Sequence, residues 1–142
     1  MSSLMGLDFG TKTIGVAISD RLQTVATPRE TIKRKKFGLD ADAIERLIAE
    51  NEISGIILGL PMNMDGSEGP RAQSTRAFAR NLAGRIGVPM FFWDERLSTV
   101  AAERALLEAD MSRKKRALVI DNVAASYILQ GVLDRLSHIR RS

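Results

Sequence analysis

The alternation of apolar and polar positions divides the chain into short strands followed by strands and helices in turn. Residues 4–9 (LMGLDF) read as a buried strand interrupted by one carboxylate, Asp8. Residues 13–19 (TIGVAIS) alternate, with Ile14, Val16 and Ile18 on one side, and the short GTK between the two runs fits a hairpin turn. A weaker third strand spans Thr27 to Lys33, and Pro28 assigns it to a sheet edge. Ile44, Leu47 and Ile48 form the apolar stripe of a helix from about Leu39 to Asn51. SGIILGL (Ser54 to Leu60) reads as a central strand buried on both faces, ended by Pro61. After the turn-rich loop PMNMDGSEG, Phe78, Leu82 and Ile86 recur at four-residue spacing in a helix from about Pro70 to Ile86. PMFFW (Pro89 to Trp93) reads as another buried strand. A helix over Ser98 to Ala109, a polar loop, and a last helix over Ala117 to Ser137 complete the order.

Three antiparallel strands followed by two strands reached through helices predict an α/β fold. The expected architecture is one mixed five-stranded sheet, three strands antiparallel and then two parallel, flanked by helices, with the first strand beside the fourth. Leu7, Val16, Ile57, Leu58, Phe78, Leu82, Phe91, Ile128 and Leu129 are its expected core. At 142 residues the chain reads as one domain, 1–142.

Within this pattern the carboxylates stand out. Asp8 lies mid-strand, Asp94 and Glu95 where the fifth strand ends, and Asp121 early in the last helix. Leu118, Ala125 and Ile128, at helical spacing from Asp121, put it on the packed side, where a carboxylate is costly unless paired or liganded. Each acid has an ordinary explanation: a turn acid for Asp8, a first-turn acid for Asp94 or Glu95, an N-cap for Asp121. Taken together they suggest acids converging at strand ends, which would repel unless cations sat between them. There is no cysteine and a single histidine, His138 in a polar tail, so the donors are oxygens suited to a hard divalent cation, Mg2+ or Mn2+. A pair of such ions serves phosphodiester displacement. Neither a Ser-His-Asp set nor a P-loop is available.

Charge adds a second clue. The chain carries 21 Lys and Arg against 17 Asp and Glu, a net charge of +4. That permits a polyanionic partner without requiring one. The cations cluster in KRKK (Lys33 to Lys36) and RKKR (Arg113, Lys114, Lys115, Arg116), which read as solvated loops or as flexible phosphate grips. No apolar stretch approaches a membrane span and no secretory signal is apparent, so a cytoplasmic, non-membrane protein is the expectation.

DFGTKTIGVAISD, GLPMNMDGSEGPRA, DERLST followed by AAERAL, and IDNVAASYILQGVL together resemble the YqgF (RuvX) family, in that order and from Leu4 to about Leu136. The resemblance implies an RNase H-like fold, a cytoplasmic nuclease that processes the 5′ end of pre-16S ribosomal RNA in ribosome biogenesis, or a Holliday-junction resolvase acting on branched DNA. It maps the catalytic, metal-binding set onto Asp8, Glu95 and Asp121, with Asp94 in reserve. Lys12 and Arg96 become the nearest phosphate contacts, Arg96 equally well a partner that orients the acids. Family members often carry a basic residue where this chain has Thr13, which weakens a phosphate role for the first hairpin.

Structured RNA and branched DNA are not separable from sequence, because contacts to the phosphate backbone carry little sequence information. A homodimer is the expectation if four-way junctions are cut symmetrically. Two readings of other classes compete. The first hairpin also resembles the phosphate-binding hairpin of the actin, sugar kinase and Hsp70 ATPases, but 142 residues leave room for only one of their two domains. A non-catalytic nucleic-acid-binding module would need neither metal nor converging acids.

Overall fold

The computed structural model describes residues 1–97 and 113–141, with side chains beyond residue 97 described from residue 122 onward. Its strands are β1 (Ser3–Phe9), β2 (Thr13–Ser19), β3 (Ala26–Lys33), β4 (Ile53–Leu60) and β5 (Met90–Asp94). Helices α1 (Phe37–Asn51), α2 (Pro70–Ala83) and α3 (Arg113–Arg140) accompany them, and a single 3-10 turn, Glu95–Leu97, follows β5. The strand order is β3-β2-β1-β4-β5. β1 pairs antiparallel with β2 (Leu7 opposite Val16) and parallel with β4 (Leu7 opposite Leu58), and β4 pairs parallel with β5 (Leu58 opposite Phe92). This is the mixed sheet the pattern predicts, and the first strand does lie beside the fourth. Pro28 sits on the edge strand β3, opposite Ala17 beside a bulge, where its missing N–H costs the sheet little.

The period-two alternation of β1 divides the core between the two faces of the sheet. Met5, Leu7 and Phe9 face α1 and α2, packing with Ile44, Leu58, Phe78 and Leu82. The Phe9 and Phe78 rings stack with centroids 4.2 Å apart. On the other face α3 lays Ala125, Ile128, Leu129 and Leu133 against Ala17 and Ile57. Two glycines permit the close approach: a Cβ on Gly6 would lie 2.8 Å from Leu129 Cβ, and one on Gly59 would lie 2.4 Å from Ile128 Cδ1. Among the described residues no helix is long and apolar enough to cross a membrane.

Three expectations are corrected. β5 is not a buried strand: Phe91 is 56% exposed and Phe92 41%. It is the last strand on its side of the sheet, and α3 lies mainly over β1, β2 and β3, meeting β5 at Trp93, whose ring would lie 3.1 Å from a Cβ on Gly131. The second helix ends at Ala83, three residues before Ile86, which stays partly buried beyond it. The run Arg113 to Arg116 is not a loop but the first turn of α3. The helix expected over Ser98 to Ala109 lies outside the described residues.

Candidate active site

The acids are positioned by the ends of parallel strands. β1, β4 and β5 all finish at one end of the sheet, the usual ligand side of an α/β fold. Leu7 faces α1 and α2, so its neighbour Asp8 faces α3. Asp8 is only 2% exposed, on the central strand, two residues beyond the Gly6 contact with α3. A buried carboxylate on so rigid a mount is expensive in isolation and needs interacting groups around it.

Glu95 reaches the same face from β5. The register sets Leu58 beside Leu7 and Gly59 beside Trp93, so Gly59 occupies the strand between the two acids. Backbones of next-but-one strands lie about 10 Å apart. Glu95 narrows that gap by folding back over the sheet: its Oε1 lies 2.8 Å from where a Gly59 Cβ would stand. Glycine at 59 therefore makes room for both the carboxylate and Ile128. A glycine inside an apolar strand is a known sign of close approach, and the SGIILGL run could have been read that way from sequence.

Asp94 points elsewhere. Its carboxylate accepts from Arg96 Nη2 at 2.7 Å, from Nε at 3.1 Å, and from the Arg96 backbone N–H at 2.9 Å. These bonds hold the Asp94 carboxyl below its ordinary value and raise the guanidinium of Arg96 in turn. Arg96 Nη1 also donates to the Met64 carbonyl at 3.3 Å, tying the loop after β4 to the end of β5. The Arg96 guanidinium is thus bonded to Asp94 and to the loop. The loop is further fixed by Asn63 N–H to the Ser67 carbonyl (2.9 Å) and by the fork of Arg76 on Glu68 (2.5 and 2.9 Å).

Asp121 lies within α3, one turn before Ala125, and its side chain is outside the described residues. The helix direction places its backbone. Arg140, at the far end of α3, donates to Gln23 in the connection between β2 and β3, at the opposite end of the sheet from Asp94. The N-terminal turns of α3, with Asp121 and the Arg113 to Arg116 run, thus start at the end where Asp8 and Glu95 are found. Lys12 is exposed in the β1–β2 turn at that end, and His138 is exposed near the far end of α3. Among the described residues no group of three metal-ligating side chains is complete. The donor set nonetheless fits a hard cation: two carboxylates on one face, one from β1 and one from the turn after β5, with no thiolate in the chain.

A family model described as "RuvX: Holliday junction resolvase" matches residues 2–135. A protein of Ruegeria sp. (strain TM1040) is 71% identical over 142 residues, covering 100% of this chain and 90% of its own. One of Rhodobacter capsulatus is 64% identical over 142 residues, covering 100% and 89%. Both carry the name "Putative pre-16S rRNA nuclease". Among solved structures the fold is similar to that of T. thermophilus RuvC in complex with a Holliday junction substrate. The TM-score is 0.60 at 10% identity, over 96% of this chain and 97% of that one. The yeast mitochondrial Holliday junction resolvase Ydc2 matches with a TM-score of 0.54 at 12% identity, over 97% and 81%.

Proposed function

The chain belongs to the RuvX family of Holliday junction resolvase-like proteins, and on that premise we propose that it is a phosphodiester-cleaving nuclease acting in 5′ processing of pre-16S ribosomal RNA. Residues 1–142 form one catalytic domain working in the cytoplasm. The observation that carries the reading is the pairing of Asp8 with Glu95: one acid 2% exposed on the central strand, the other seated over Gly59 on the same face. The names of relatives 64% to 71% identical along the whole chain support ribosomal RNA as substrate. The description of the family model supports a second reading, the same chemistry on branched DNA.

Asp8, Glu95 and Asp121 are the residues that hold a divalent cation, Mg2+ or Mn2+. Bound there, the ion supplies water activation and charge stabilisation for in-line displacement at phosphorus. The chain supplies placement. Asp8 is fixed by the hydrogen-bonded ladders on both sides of β1, and rigid ligands favour displacement because little order remains to be imposed at the transition state. Gly59 leaves the volume into which Glu95 folds. Arg96 keeps Asp94 bonded to itself, which favours Glu95 over Asp94 as the ligand and makes Arg96 a positioning residue. Lys12 and the Arg113 to Arg116 turn serve as phosphate contacts around the acids.

The test is manganese-dependent cleavage of precursor ribosomal RNA and of a four-way DNA junction by the wild type, Glu95→Gln and Asp94→Asn. Glu95→Gln abolishes cleavage and Asp94→Asn retains most of it. The reverse ranking would overturn the ligand assignment, and no cleavage of either substrate by the wild type would overturn the nuclease reading.

A further inference from the structure

Across the end of β1 from Asp8, the turn after the strand borders a concave site that the acids do not use. Phe9, Gly10 and Thr11 form one wall, Arg34 another, and the first turns of α2, with Arg71 and Ser74, the third. The cleft holds about 230 Å³. That is below the roughly 300–1,000 Å³ of sites that enclose a whole small molecule, so a nucleotide does not fit and a smaller group does.

The lining chemistry selects the charge of that group. Two arginines, Arg34 and Arg71, line the cleft and no acidic residue does. Among the described residues neither Arg34 nor Arg71 has an ion-pair partner, whereas Arg46, Arg76, Arg85 and Arg96 each have one. Arg34 is held in place rather than free to wander. Its guanidinium carbon lies 4.3 Å from the centroid of the Phe9 ring, and Nη1 donates to the Gly10 and Thr11 carbonyls at 2.9 and 3.1 Å. Its backbone N–H donates to the Lys12 carbonyl at 2.9 Å, and the Asp40 carboxylate fixes the next residue by accepting from Lys35 N–H at 2.9 Å. The KRKK run is thus not merely a solvated loop: its arginine is mounted on the residue next to Asp8. A pre-positioned arginine loses little entropy on meeting a tetrahedral oxyanion, and its fork matches two phosphate oxygens.

We propose that this cleft holds a backbone phosphate of the substrate strand that flanks the scissile one, gripped by Arg34 and Arg71 with the Ser74 hydroxyl beside them. Consecutive residues of a strand face opposite sides, so Phe9 and Asp8 set the two phosphates on either side of the β1 end, and the strand crosses over that end. The proposal rests on the nucleic-acid substrate of the proposed function but not on cleavage.

The experiment therefore reads binding alone, in EDTA, by titrating the full chain against precursor ribosomal RNA and a four-way DNA junction at several salt concentrations. Each lost phosphate contact lowers the slope of log K against log salt by about 0.7 to 0.9, which is about four- to sixfold in affinity at 0.15 M salt. Arg71→Gln and Arg34→Gln are each expected to show part of that loss and the double variant all of it, and Arg85→Gln, whose partners are Asp42 and Glu45, to show none. Arg34→Gln can disturb the turn it braces, so Arg71→Gln, with an unchanged melting temperature, decides the matter. A neutral methylphosphonate walked along the substrate should cost the wild type the same factor at one position, cost Arg71→Gln less there, where Arg34 remains, and cost the double variant nothing. Loss on one nucleic acid only would identify which backbone reaches the cleft. Unchanged slopes for both variants on both substrates, or a loss of affinity without a change of slope, would overturn the proposal. A wild type that binds as expected but cleaves nothing would instead overturn the nuclease reading and leave the cleft standing.

Discussion

Replacing Gly59 by alanine adds one methyl group where the structure has no space for it. The new Cβ would meet Ile128 Cδ1 at 2.4 Å, Glu95 Oε1 at 2.8 Å and Ile128 Cγ1 at 3.1 Å. All three are side-chain atoms beyond Cβ, so the backbones of β4 and α3 need not move. Overpacking a core costs about 1–3 kcal/mol, and a forced rotamer about 0.5–1.5. The lower part of the first range applies here, because one strained rotamer at fully buried Ile128 relieves that half of the clash. Alanine also restrains the unfolded chain, returning about 0.4–1 kcal/mol. A net loss of about 1 kcal/mol follows, or roughly 2–4 °C in Tm for a chain of this size. The other half of the clash is relieved by Glu95 swinging off the sheet, which removes it from Asp8. Gly59→Ala should therefore keep its fold while losing both cleavage and the Tm increase produced by manganese, as Glu95→Gln does. Melting with and without manganese, alongside a cleavage assay, checks this. A variant that kept the wild-type manganese shift and rate would refute the claim that Glu95 works from its seat over Gly59.

Other outcomes follow from burial and charge. Leu7→Ala, at a fully buried position, should cost about 2–5 kcal/mol in urea unfolding, whereas Phe91→Ala on the exposed edge should cost less than about 1; equal costs would mean that β5 is covered. The Asp94 carboxyl is lowered by its bonds to Arg96, so its contribution is complete above the unfolded value and lost as pH falls through the lower folded one. The stability difference between wild type and Asp94→Asn should then be constant from pH 8 to 5 and close only below about pH 4, and a change near neutrality would contradict the pairing. Neutralising Arg113 to Arg116 should reduce the salt slope of duplex DNA binding by up to about 0.9 per contact, and an unchanged slope would make that turn a solvated surface.

The strands and two of the helices were legible because their apolar periods differ and their ends carry Gly and Pro. The error at β5 has a physical cause. An unbroken apolar run reads as buried on both faces, but burial also depends on which strands the covering helix crosses, and α3 lies mainly over β1, β2 and β3, reaching β5 at Trp93. The start of α3 was misjudged because Arg and Lys are good helix formers, yet a run of four reads as a solvated loop. Asp8 could be singled out because a carboxylate breaks an apolar strand. Asp94 and Glu95 could not be separated as neighbours in sequence; β5 and the turn after it send them apart, one to Arg96 and the other over Gly59. Arg34 was visible only as part of the KRKK run; its mount on Phe9 was not legible because it joins residues far apart in the chain.

In the proposed function Asp8 holds a divalent cation against a scissile phosphate. Asp8→Asn keeps the size of the side chain and removes its charge, so the measurement is cleavage of precursor ribosomal RNA and a four-way junction in manganese, with melting curves run in parallel. Cleavage should collapse and the manganese-induced rise in Tm shrink, while the metal-free protein melts no lower than wild type, since removing one of several close carboxylates relieves repulsion. A variant that cleaves at the wild-type rate and keeps the full manganese shift would contradict that role, and Asp8 would then be a structural acid at the end of its strand.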